Sequence, residues 1–166
     1  MSDSYNQFRI QLFRATIFAV ATANPLDDEE LRAWRGFLQA TRLVTDRLDS
    51  DLRAEHGRSL PDYEVLLLLS QADDHRLRMS ELADRALVTR SRLTHTVDRL
   101  ERNGLVRRRP VEDDGRGAYA ELTRRGVSAL RAMAPTHLAG IREGFLDHLS
   151  PGEIATLAAA FARMVT

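Results

Sequence analysis

The stretch LVRRRPVEDDGRGAYAELTRRG, residues 105–126, decides the fold. Two runs with strand character, LVRRRPV and AYAELT, flank EDDGRG. In the second run Ala118, Ala120 and Leu122 alternate with Tyr119, Glu121 and Thr123, the two-residue period of a strand with one buried face. Asp114-Gly115 is a strong hairpin signal, since both residue types tolerate the positive φ that a tight two-residue turn requires. The stretch therefore reads as a β-hairpin with Arg107, Arg108 and Arg109 on one strand and Arg116 near the tip. So much cationic charge on a small hairpin calls for an anionic partner. Glu112, Asp113 and Asp114 would repel one, so they need a separate role: Asp114 is placed to pair with Arg116 and orient it, while solvation of a turn would also account for the acids.

Working backwards, Asn103-Gly104 is a helix stop, and RLTHTVDRLER before it has helical period. At 100° per residue Leu93, Val97 and Leu100 share one face. Ser91, His95, Asp98 and Arg102 lie opposite, flanked by Arg92, Thr94 and Arg99. Ser80 reads as the N-cap of ELADRAL, whose Leu82, Ala83 and Ala86 face inward, and VTRS turns the chain between the two helices. A helix-turn-helix that runs straight into a charged hairpin is a winged helix. In that fold the outward face of the second helix, about 90–103, suits a DNA major groove: Arg reads guanine, and Ser, Thr or His bonds base edges or phosphates. The wing, about 107–120, would set Arg107, Arg108 and Arg109 near phosphates and Arg116 in a minor groove. The helix alone does not decide this, because a solvated amphipathic helix has the same wheel; the hairpin behind it does.

The flanking segments are helical. Pro61 opens an apolar helix, DYEVLLLLSQA, fit for the centre of a lobe. Before it, Leu31, Trp34, Leu38, Thr41, Thr45, Leu48 and Leu52 recur at threes and fours, widened by Phe37, Leu43 and Val44, up to a stop near His56-Gly57. After the wing, Val127, Leu130, Met133, Ala134, Leu138, Ile141, Phe145 and Leu149 form one stripe, in which Pro135 should bend or split the helix. Ile154, Leu157, Phe161, Met164 and Val165 form another after Ser150-Pro151. This is more apolar helix surface than one small lobe covers, so partner helices from a second copy are expected. The fold class is mainly α with a small β-hairpin wing: an N-terminal extension, arm or extra helix over 1–29, a dimerisation helix over 30–58, a winged helix-turn-helix lobe over 59–124 and C-terminal dimerisation helices over 125–166. The run Ala15–Ala23 before Asn24-Pro25 imitates a signal peptide poorly and is too short to span a bilayer, so the expectation is a cytoplasmic protein with no membrane partner.

Composition bounds the chemistry. The 166 residues include no cysteine, which excludes disulfides, zinc fingers and thiol redox sensing. The histidines at 56, 75, 95, 137 and 148 lack the i, i+4 spacing of a helical zinc site, so neither metal nor cofactor is expected. Net charge is zero, unusual for a nucleic-acid binder, yet the charge is segregated: residues 76–125 hold 13 Arg against 8 acids, leaving 11 against 16 elsewhere. All 24 basic residues are Arg, the better bidentate partner for phosphate and guanine, although genome composition alone would also produce this. His95 and Asp98 are close on one helix face, but no nucleophile elbow, phosphate loop or metal triad surrounds them, so the chain is not expected to be an enzyme.

With LPDYEVLLLLSQ, MSELADRALVTRSRLTHTVDRLERNGLVRR, the wing motif Asp-x-Arg followed by Leu-Thr-x-x-Gly in DDGRGAYAELTRRG, and the tail LSPGEIATLAAAFARM, the sequence resembles the MarR family of bacterial transcriptional regulators over residues 31–165. The resemblance implies a homodimer with intertwined first and last helices, bound to a pseudo-palindromic operator on double-stranded DNA, usually as a repressor released by a small ligand. Members that sense peroxide through a reactive Cys are excluded. Others bind aromatic carboxylates between the dimer helices and the lobe, which makes Trp34, Arg42 and Tyr63 the candidates for an aromatic or anionic effector. The alternative is a winged helix used as a protein-interaction module, which would not need Arg on both recognition helix and wing.

Overall fold

A computed structural model describes residues 25–111 and 114–165. The signal-like run, the arm or extra helix before residue 25, the tip acids Glu112 and Asp113, and the side chains of Asp114 and Arg116 lie outside the described residues, so the expected Asp114–Arg116 pair does too. The chain divides after Gln39 into two compact units. What is described of the first is residues 25–27 and the N-terminal part of helix α1 (Asp28–His56), where Asp28, Glu29 and Glu30 suit the positive helix end and Asp27 Oδ1 accepts from the Glu29 and Glu30 amides at 2.7 and 2.8 Å. In it Trp34 and Phe37 stack at 6.0 Å, both well exposed.

The second unit holds the rest. Helix α1 ends where Gly57 takes φ 63°, with Arg58 N–H bonded to Leu52 O at 3.3 Å, a left-handed helix stop that glycine adopts without steric cost. Helix α2 (Leu60–Gln71) starts with a capping box between Ser59 and Asp62 and with Pro61 in its first turn. Leu60, Tyr63, Val65, Leu66 and Leu69 are buried, as expected of a central helix. A short 3₁₀ turn, Asp73–His75, leads into strand β1 (Arg76–Arg78), which the sequence reading lacked. Three residues with two arginines give no strand period; only pairing with a distant strand makes them one.

Helix α3 (Met79–Arg85) begins one residue before the expected cap, so Ser80 lies inside it and Arg78 stands at the N-cap without a side-chain cap bond. Thr89 caps helix α4 (Arg90–Arg102), accepting from the Arg92 amide at 3.3 Å. Strands β2 (Val106–Val111) and β3 (Asp114–Leu122) form the wing, and β1 adds to β3, giving an antiparallel sheet in the order β1-β3-β2. The Leu-Thr-x-x-Gly motif has a physical reading. Thr123 Oγ1 donates to Gly104 O at 2.8 Å and accepts from the Gly126 amide at 3.0 Å, and a Cβ on Gly126 would run into the Leu105 carbonyl and the Leu122 side chain.

Helix α5 (Arg124–Gly144) is one helix. Pro135 does not split it, since a single missing backbone bond is outweighed when the helix is packed on both sides of it, at Met133 and at Gly140 against Leu48. A 3₁₀ turn, Leu146–His148, interrupts the expected stripe before helix α6 (Pro151–Ala162), which Ser150 and Glu153 cap. The core draws on Leu48 and Leu52 of α1, on α2, α3 and α4, on the inner sheet face and on Met133. Leu48, read from sequence as part of the apolar surface left for a partner, is buried within the protomer. No described helix is long and apolar enough to cross a membrane.

Candidate nucleic-acid interface

Helix α4 is held by Leu93, Val97 and Leu100, all essentially buried, and by Thr96, whose hydroxyl returns to Arg92 O at 3.2 Å. With that stripe fixed in the core, Ser91, Arg92, Thr94 and His95 all emerge exposed, as the helical wheel predicted. Arg90 is exposed at the same end. It went unmarked in the sequence because it was read as part of the turn.

Arg99, Arg107, Arg108 and Arg109 of the expected set have protein partners. Arg99 turns inward: its Nε reaches Asp62 Oδ1 at 3.0 Å, and its Nη2 reaches Asp62 Oδ1 at 2.7 Å and Ser59 Oγ at 3.3 Å. The Asp62 side chain is only 2% exposed and also accepts from Ser59 N–H at 3.1 Å. A buried carboxylate left unpaired is costly, so Arg99 is held there rather than presented with the outward set. On the wheel Arg99 merely flanks the polar face, and an acid on another helix was invisible from that segment. Next to it Arg58 Nη2 donates to Asn103 Oδ1 at 3.1 Å, tying the α1–α2 connection to the end of α4.

Arg108 joins wing to helix. Its amide donates to Glu101 Oε1 at 2.8 Å, its Nη1 to Glu101 Oε2 at 2.7 Å, and its Nη2 lies 2.6 Å from Asp98 Oδ1. Arg107 grips Glu121 through Nε at 2.8 Å, and Arg109 Nε meets the same carboxylate at 3.5 Å. The Arg107 hydrogen bond holds the Glu121 carboxyl below the usual carboxylate range and raises the Arg107 guanidinium in return. Both arginines remain about half exposed. An open cleft of about 400 Å³ runs between helix and wing, lined by Arg78, Ser80, Arg90, Thr94 and the Gly117–Ala118 segment.

The three effector candidates each have their own neighbours. Tyr63 is buried and stacks on His137 at 4.2 Å; burial raises the tyrosine pKa and lowers that of the histidine. Arg42 is exposed and 3.6 Å from Asp46, and Trp34 belongs to the first unit. A second cleft, of about 380 Å³, has His56, Arg58, Arg125 and Met133 on its walls and was not foreseen, because its residues come from three separate segments. Among the described residues no group of three His, Asp or Glu could hold a metal ion.

Residues 59–117 match the model of the MarR family. The chain is 34% identical over 114 residues to the HTH-type transcriptional repressor YetL of Bacillus subtilis, covering 67% of this chain and 68% of that protein. Among solved structures, AbsC, a MarR family transcriptional regulator from Streptomyces coelicolor, superposes with a TM-score of 0.78 at 39% identity over 86% of this chain and 96% of that one. Sco3205, a MarR family regulator from the same organism solved in complex with DNA, gives 0.81 at 38% over 87% and 91%. A regulator fold this similar over nearly its whole length, carrying the capped Leu-Thr-x-x-Gly junction and an exposed polar face on α4, makes the chain a member of the MarR family of DNA-binding transcriptional regulators rather than an enzyme.

Proposed function

We propose that the protein is a homodimeric repressor that reads a pseudo-palindromic operator in the cytoplasm and is released by a small aromatic or anionic ligand. The observation that carries the DNA reading is the four-residue face Ser91, Arg92, Thr94 and His95, fully outward on a helix whose other face is locked in the core. These side chains meet base edges and nearby phosphates. Arg107 and Arg109 face the backbone, and Arg116, oriented by Asp114, enters the minor groove. Arg99 and Arg108 act through their carboxylate partners: they fix the angle of α4 and its distance from the wing.

The dimer reading is supported by the terminal helices. Leu43 on α1, Leu138 on α5 and Ile154, Met164 and Val165 in the C-terminal segment are exposed, and α6 buries no residue at all. Two copies that cover this surface would carry two α4 helices to major grooves one turn, about 34 Å, apart. That YetL is named a repressor supports the sign of regulation. Ligand release is supported by Tyr63 against His137 and by the cleft beside His56 and Arg125, which combine apolar walls with groups that can meet a carboxylate.

A fluorescence titration on the DNA flanking the protein's own gene, at two salt concentrations and against random competitor, tests the reading. Salt-sensitive binding that survives competitor, with two chains per site, is the expected result. Binding competed equally by random DNA would overturn sequence reading and favour an interaction module.

A further inference from the structure

The wing sheet has two faces with opposite chemistry. Leu77, Val106, Ala120 and Leu122 go to the core. On the outer face two rows cross all three strands in register: Arg76, Glu121, Arg107 and then Arg78, Tyr119, Arg109. Among the described residues, four guanidinium groups thus surround one carboxylate and one phenol ring in these rows. Arg76 and Arg78 lie over the Tyr119 ring at 5.3 and 5.7 Å, a cation–π arrangement that holds their planes. Arg107 and Arg109 share Glu121. Asp74 comes within 3.6 Å of Arg76, but both side chains are open to solvent, where such a pair contributes little.

In a chain of zero net charge this concentration of cations on one exposed surface fits an anion. Neighbouring strands lie about 4.8 Å apart, so the outer arginines rise from backbones about 10 Å apart and spread their charge across the width of the sheet. Successive phosphates of a polymer match such a spread. Arg78 also lines the cleft with Arg90 and Thr94 of α4, so the surface is continuous with the face presented to DNA.

We propose that the outer face of the β1-β3-β2 sheet extends the DNA interface, holding phosphates of the duplex that flanks the bases met by α4. Arg76 and Arg78 are backbone contacts, Tyr119 keeps them in plane, and Glu121 competes with the phosphates for Arg107 and Arg109. The proposal rests on the DNA-binding reading above.

Binding is measured on the operator duplex alone and on the same duplex lengthened by half a helical turn at each end. The wild-type protein should bind the longer duplex more tightly. Arg76→Gln should match wild type on the short duplex, lose most of the gain from the flanks, and lower the salt slope on the long duplex by about one unit, as loss of one phosphate contact does. Glu121→Gln should raise affinity for the long duplex, an increase that a misfolded variant cannot produce. Flanks that add nothing in wild type, an Arg76→Gln protein that keeps the full gain, or one that loses equally on both lengths would each overturn the proposal. So would polyglutamate that competes with the flanks as well as DNA of equal charge does. Absence of specific binding to either duplex would instead overturn the DNA reading itself.

Discussion

Helices α4 and α6 are nearly the same length, 13 and 12 residues, and have opposite compositions and opposite fates. Helix α4, RSRLTHTVDRLER, is crowded with charge yet buries Leu93, Thr96, Val97 and Leu100. Helix α6, PGEIATLAAAFA, is almost entirely apolar and buries nothing. The difference teaches that hydropathy states what a helix can bury, while the elements packed on it decide what it does bury. Three apolar residues and one inward arginine suffice to seat α4, leaving a whole polar face exposed. Among the described residues α6 buries no side chain, and in the proposed dimer a second copy supplies cover for it.

The contrast is broken most directly at its buried end. Leu100→Ala removes a side chain with no exposed surface from the centre of the lobe, and should cost about 2–5 kcal/mol in urea unfolding, since the cavity adds to the lost transfer energy. A loss below about 1 kcal/mol would mean that the core does not close around α4. At the other end, Ile154→Asp on α6 should leave the lobe folded by circular dichroism but raise the dimer dissociation constant on the order of a hundredfold, because a carboxylate would have to be desolvated at the interface. Sedimentation showing an unchanged dimer would exclude α6 from the interface. Leu48 would be a poor probe of the same point, as its replacement damages the core of each protomer.

Arg99 sharpens the comparison, because two assignments give effects of opposite sign. If it contacts DNA, Asp62→Asn frees it and binding improves. If it positions α4, Asp62→Asn and Arg99→Gln both lower the ratio of operator to random-DNA affinity, leave random-DNA binding nearly unchanged, and together cost no more than either alone. Two guanidinium donors on one buried carboxylate lead us to expect the second outcome, with a stability loss of about 1.5–3 kcal/mol for Asp62→Asn, as for hydrogen bonds to charged groups. A drop in stability with the specificity ratio intact would leave the pair a structural role only.

How much of this was legible follows from how far each signal reaches along the chain. The faces of α4, the presence of the hairpin, the Pro61 start of α2 and the stop at Gly57 are local, written in residues within a turn of one another, and all were readable. The turn itself was misplaced, because Asp114 pairs with Val111 and Asp114-Gly115 opens β3. Strand β1 was not readable, since Arg76–Arg78 is a strand only by virtue of Tyr119–Glu121, over forty residues later. The inward turn of Arg99 was equally hidden, 37 residues from its carboxylate. The arginine face of the sheet needed both the missed strand and its register. Leu48 and Leu138 belong to similar apolar stripes, yet one is buried and the other 59% exposed, a distinction that depends on Gly140 letting α1 and α5 approach.

Helix α5 joins the two extremes, with Met133 buried and Leu138 open, and His137 reports on its packed side. Its ring lies against Tyr63 of α2, and burial lowers its pKa below the ordinary value of 6.5. The sign follows from linkage. A histidine whose folded pKa is depressed stays neutral in the folded protein while the unfolded chain takes up a proton, so its stabilising share is fully present above pH 6.5 and is lost as pH falls toward the folded value. The melting temperature should therefore decline more steeply from pH 7 to pH 5 in wild type than in His137→Gln, in which that proton uptake is gone. The effect should be the smallest of those considered, because one partly buried ring is involved and the rest of the lobe titrates identically in both proteins. Parallel curves would show that the Tyr63 stack leaves His137 as free to ionise as it is in the unfolded chain, and that the seam between α2 and α5 is looser than the burial of Met133 implies.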